Sequence, residues 1–139
     1  RYKDYNKIIE IYDTLRSTAP NYYREIDFVA LRSAFLIKDI NMLEQQVQRV
    51  GQFENILIPE EQSLYLASKI LIDILQDDVP EIDQARMDII KNTDPGNIYT
   101  PLTYYIYYFK ISDLERMEVY KQRAIELDLN KDIPDTFYL

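Results

Sequence analysis

Enzymes need groups that move protons or attack, and this 139-residue sequence offers few kinds of them. Histidine and cysteine are both absent, which removes the commonest general base, the commonest zinc ligand and any thiolate nucleophile. With glycine only at 51 and 96, no glycine-rich loop can cradle a phosphate. What remains is carboxylates, 24 of them. Two carboxyls held in one pocket can serve as acid and base, yet no stretch of the sequence brings such a pair together. The densest run, "QDDVPEID", holds Asp77, Asp78, Glu81 and Asp83. It imitates a calcium loop but lacks the central glycine and the regular ligand spacing. A simpler reading places Asp77 and Asp78 at a helix start, where the helix dipole favours acids. The sequence therefore predicts no catalytic residue, no metal and no cofactor.

The side chains left for chemistry are aromatic. Residues 103–110 read "TYYIYYFK" in a chain with 13 tyrosines, and tyrosine joins a broad apolar ring to a hydrogen-bonding hydroxyl. Read as a helix, Leu102, Tyr105, Ile106 and Phe109 fall at i, i+3, i+4, i+7, a core stripe. Tyr104, Tyr107 and Lys110 form a second stripe beside it. Read as a strand, Tyr105, Tyr107 and Phe109 share one face, while Tyr104, Ile106 and Tyr108 share the other. No second strand of comparable quality exists to pair with it, and a lone strand leaves its backbone groups unsatisfied. The segment is predicted to be helical.

Positioning these side chains requires a frame, and the composition says of what kind. A chain of 139 residues is one domain of ordinary size, able to bury a core without disulfides. Two glycines and six prolines are too few for a turn-rich sheet protein. The net charge of −8 disfavours nucleic-acid contact and anionic membrane surfaces, and no apolar run is long enough for membrane insertion. The absence of cysteine suits a cytoplasmic location. The sequence opens at Arg1 rather than Met, so a fragment of a longer chain is expected.

Seven helices are expected, at about 3–17, 22–37, 39–51, 59–76, 80–92, 99–111 and 112–128, with a tail at 129–139 that packs or frays. Ile8, Ile11, Tyr12 and Leu15 stripe the first; Phe28, Leu31, Ala34 and Phe35 the second; Leu43, Val47 and Val50 the third, closed by Gly51 as C-cap. The helix from Pro59 is apolar almost all round, from Leu64 to Leu75, as a helix between neighbours should be. Asp4, Asp39, Asp78 and Asp113 each open a second helix, at spacings of 35, 39 and 35 residues. Such a period points to stacked helical hairpins.

On these residues the chain resembles the tetratricopeptide repeats. "KDYNKIIEIYDTLRSTAPNY" is similar to a second-helix half, with the Asp4-Tyr5 pair, packing positions Ile8, Tyr12 and Leu15, and the closing Pro20. "LRSAFLIKDINMLEQQVQRV" resembles first helix, turn and second helix through Leu31, Phe35, Leu43, Val47 and Val50. "YYFKISDLERMEVYKQRAIELDLN" adds Phe109, Met117 and Ala124. The resemblance implies an all-α domain over residues 1–139: antiparallel hairpins in a right-handed α-α superhelix. It also implies that first helices line a concave face, here through Val29, Ser33 and Leu36, then Tyr65, Ser68, Lys69 and Ile72, then Thr103, Tyr104, Tyr107 and Lys110. Those positions lack asparagine, so a clamp for C-terminal carboxylates is not expected.

The leading expectation is a non-catalytic module that holds a protein or peptide segment, with Ser33, Tyr65, Lys69, Tyr104, Tyr107 and Lys110 as contact residues. A second reading makes it the ligand-sensing C-terminal half of an intracellular peptide-responsive transcriptional regulator in a low-GC bacterium. A third makes it the cytoplasmic scaffold domain of a membrane-anchored protein. A carboxylate-only enzyme is the weakest reading.

Overall fold

The computed structural model describes residues 4–76 and 81–139 and contains seven α-helices and no strand among them. They are α1 (Tyr5–Thr18), α2 (Tyr23–Ile37), α3 (Ile40–Gly51), α4 (Pro59–Gln76), α5 (Gln84–Thr93), α6 (Tyr99–Lys110) and α7 (Leu114–Leu127). Short 3₁₀ turns cover Pro20–Tyr22, Glu54–Ile56 and Asp135–Tyr138. The tyrosine-rich run is helix, in α6.

Four aspartates set the helix starts. The carboxylates of Asp4, Asp39, Asp83 and Asp113 accept the backbone N–H of Lys7, Met42, Arg86 and Arg116, each three residues on, which satisfies a donor the helix cannot. The third cap is Asp83, so α5 begins at Gln84 rather than at 80. Asp77, Asp78 and Pro80, to which the expected cap and helix start were assigned, lie outside the described residues. The spacings between caps become 35, 44 and 30 residues, so the caps are not strictly periodic.

Gly51 ends α3 but is not its C-cap; Gln52 fills that role at φ −67°. A Cβ on Gly51 would lie 3.0 Å from the Tyr65 hydroxyl, so the glycine makes room for a tyrosine of α4. At the start of α6, the Asn97 Oδ1 accepts the N–H of Thr100 at 2.8 Å. Before α7, Ser112 is turn and Asp113 is the N-cap, so the helix begins at Leu114 rather than at 112.

Each helix packs on the next, and α2 and α6 also pack on α4. The helix that is apolar all round is therefore the central one, touching α2, α3, α5 and α6. Leu64, Ala67, Ile70, Leu71 and Ile74 are buried, and Leu66, Ile72 and Leu75 are packed against the core. No helix is long and apolar enough to cross a membrane among the described residues.

The core arc of α6 is wider than one stripe. Leu102, Tyr105 and Ile106 are buried as expected, but Tyr107 is buried as well at 6% exposure, and Phe109 is 49% exposed. Two neighbours cause this: α4 covers one side of α6 and α7 the other. The tail packs rather than frays, with Phe137 fully buried.

Candidate functional site

The six expected contact residues lie in separate places rather than along one groove. Ser33 is buried, its hydroxyl donating to the Val29 carbonyl at 2.7 Å, at the floor of a cleft between α1 and α2. Tyr65 is buried against Gly51, and burial pushes its hydroxyl pKa up. The Lys69 ammonium sits 5.4 Å from the Tyr65 ring and lines a different cleft, with Glu44, Gln48, Asp73 and Arg86. Tyr107 is buried, edge-on to Tyr108. One turn on, Lys110 donates to the Ile74 carbonyl near the end of α4. Tyr104 lines a cleft together with a second tyrosine, Tyr120.

That cleft, of about 370 Å³, lies among α5, the 94–98 connection, α6 and α7. Tyr104 and Tyr120 stack at 4.6 Å and 22°, and Tyr108 stacks on Tyr120 at 5.6 Å and 11°. The Arg123 guanidinium lies 5.0 Å from the Tyr120 ring and that of Arg116 5.7 Å from the Tyr108 ring, so two cations border the aromatic stack. The Gln84 amide reaches the Tyr104 hydroxyl at 2.9 Å and the Asp88 carboxylate at 2.9 Å. Burial, chiefly, raises the Tyr104 pKa, while the Gln84 hydrogen bond opposes it. Lys91 and Glu126 stand at the rim. Such a wall can stack planar or apolar groups and hydrogen-bond a backbone.

Sequence reasoning missed Tyr120, Arg123 and Gln84. A signal existed for two of them: Arg116, Tyr120 and Arg123 fall at i, i+4, i+7 of α7, one stripe of mixed aromatic and cationic type. Gln84 carried none, because its partner Tyr104 is twenty residues away.

A second polar centre ties α1, α2 and α3. Asp27 is fully buried and accepts from the Tyr12 hydroxyl and from Arg16 Nε at 3.1 Å, while Arg49 donates to the Tyr12 oxygen. Burial and then Asp27 push the Tyr12 pKa up. Each charge has its partner there, so the group holds helices together instead of presenting itself to a ligand. Among the described residues no three potential ligands converge to hold a metal ion.

The tail makes the third set of contacts. Three side chains donate to its main-chain carbonyls: Tyr5 to Asp132 at 2.6 Å, Lys38 to Phe137 at 2.9 Å and Tyr105 to Tyr138 at 2.7 Å. Phe137 stacks on Phe35 at 6.1 Å, and Tyr138 meets Tyr105 edge-on at 5.3 Å. Comparison with family models, with curated proteins and with solved structures yields no match to this chain.

Proposed function

We propose that this chain is a non-catalytic interaction module: a tetratricopeptide-like stack of helical hairpins, wound as an α-α superhelix, that binds a peptide segment of a partner protein in the α5–α6–α7 cleft. The superhelical reading draws support from the contacts of α2 and α6 with α4, the pattern expected of successive first helices. The binding reading rests on one observation: Tyr104 and Tyr120 stack on the wall of an open cleft that Arg123 and Gln84 also line, and Tyr108 and Arg116 extend that stack outside it. Interfaces favour tyrosine and arginine because they give large contact area and directed hydrogen bonds. An extended peptide fits this wall, with a planar or apolar side chain on the tyrosines and a main-chain group on Gln84.

The test is selection from a random peptide display library, followed by titration of the selected peptides. Changing Tyr104 and Tyr120 together to Ala should weaken binding by roughly tenfold or more, as truncation of central interface aromatics does. Gln84→Ala, which removes no packed ring, should weaken it less, with the helical circular dichroism unchanged. Selected peptides that bind the double variant with undiminished affinity would place the site elsewhere.

A further inference from the structure

A groove formed by α1, α2, α6 and α7 receives residues 132–138 in the way a receptor receives a peptide. The three carbonyl contacts from Tyr5, Lys38 and Tyr105 read no sequence, since every peptide has carbonyls. Sequence is read at three other points. Phe137 is fully buried between Phe35 and Tyr105, with the Lys38 ammonium 5.2 Å from its ring. The Tyr138 ring lies between Tyr105 and the Lys121 ammonium, 5.6 Å away. The Asp132 carboxylate lies 3.4 Å from the Arg32 guanidinium. The tail joins α7 through an exposed connection in which Leu129 is 88% exposed and Lys131 takes a left-handed φ of 53°. Inside the tail, hydrogen bonds are local, from the Phe137 N–H to Pro134 and from the Leu139 N–H to Thr136. The Tyr138 hydroxyl is buried without a hydrogen-bond partner among the described residues. A buried hydroxyl left unpaired weakens whatever carries it.

We propose that this groove is a binding site for a partner peptide with an acidic residue followed, five positions later, by two consecutive aromatic residues, and that the chain's own tail occupies it in cis until such a peptide displaces it. The unpaired hydroxyl of Tyr138 makes the cis occupant an imperfect one, and a competitor with phenylalanine at that position has the advantage. None of the groove's side chains lines the α5–α6–α7 cleft, so the two sites stand or fall separately.

The experiment titrates a fluorescent synthetic peptide of residues 129–139, and its Tyr138→Phe form, into the full wild-type chain and the full Phe137→Ala chain. The Phe137→Ala chain has lost the anchor of its own tail and should bind the peptide about tenfold or more tightly than wild type does. The Tyr138→Phe peptide should bind about tenfold more tightly than the unsubstituted one. Adding Arg32→Ala should weaken both. A helical Phe137→Ala chain that binds neither peptide overturns the proposal. Should that variant not fold, hydrogen exchange of the wild-type chain decides. Amides of Phe137 and Leu139 should exchange far faster than those in the middle of α2 and α6, and equal protection would make the tail part of one cooperative core.

Discussion

At the scale of single residues, Tyr105 and Phe109 carry the test of how α6 is packed. They stand one turn apart with ring centroids 6.2 Å from each other, yet Tyr105 is 1% exposed and Phe109 49%. Tyr105 is enclosed by Phe137 and Tyr138 of the tail, whereas Phe109 falls in the last turn of its helix, beside the exposed Ile111. Tyr105→Ala should therefore destabilise the fold by roughly 3–5 kcal/mol, the cost of emptying a buried aromatic site. Phe109→Ala should cost clearly less, on the order of 1 kcal/mol, since about half of its surface is already in water. Denaturant melts of the two variants check this, and similar losses would put Phe109 back in the core. Helical spacing alone favours Phe109 over Tyr107 for the core. It goes wrong because a helix covered on two sides buries more than one stripe. Tyr104 was legible as a surface aromatic, but its stacking on Tyr120 was not, since that contact is tertiary.

At the scale of elements, two hairpins turn in the same way. After α2, Lys38 takes φ 57°, its N–H bonds Phe35, and the Asp39 N–H bonds Ala34 at 3.0 Å. After α6, Ser112 takes φ 62°, its N–H bonds Phe109, and the Asp113 N–H bonds Tyr108 at 2.9 Å. In each turn the left-handed residue closes one helix and the next residue, an aspartate, caps the following one. The dipeptides Lys-Asp and Ser-Asp were readable as breaks because the aspartate cap is a local signal. The left-handed residue was not readable, because neither position holds the glycine that usually marks it. A side chain in that conformation is strained, and Ser112 is exposed, with no hydrogen bond from its hydroxyl to any described residue. Ser112→Gly should therefore stabilise the chain by about 0.5–1 kcal/mol. A thermal melt with unchanged or lowered stability would mean that the gain in the folded turn is cancelled by the freer unfolded chain. The start of α5 was misread for a related reason: several aspartates stand near it, and only geometry selects Asp83 as the one that caps.

At the scale of the whole molecule, tyrosines bind the stack together. Tyr12 joins α1 to α2 and α3, Tyr65 wedges α4 against the end of α3, Tyr104 joins α6 to α5 and α7, and Tyr105 and Tyr138 hold the tail. Burial is the first cause of a raised hydroxyl pKa at all five, and Tyr138 is pushed up to about 12. The folded chain thus holds these hydroxyls neutral at a pH where the unfolded chain, with tyrosines near 10, has already released their protons. A group whose folded pKa is raised gives its full stabilisation below the unfolded value and loses it as pH climbs through the folded one. Stability should be intact below about pH 10 and fall between there and about pH 12. Lys38 acts in the opposite sense: burial lowers its pKa, so losing its proton at high pH favours the folded state. One lysine does not reverse five tyrosines. Tyrosinate absorbance and helical circular dichroism, followed together up the pH scale, should show a late group of tyrosines ionising as helix is lost. In the Tyr138→Phe chain the loss should begin at higher pH. Complete tyrosine ionisation near pH 10 with the helices still folded would show that these rings are not sealed between helices, and the packing that aligns them would be wrong.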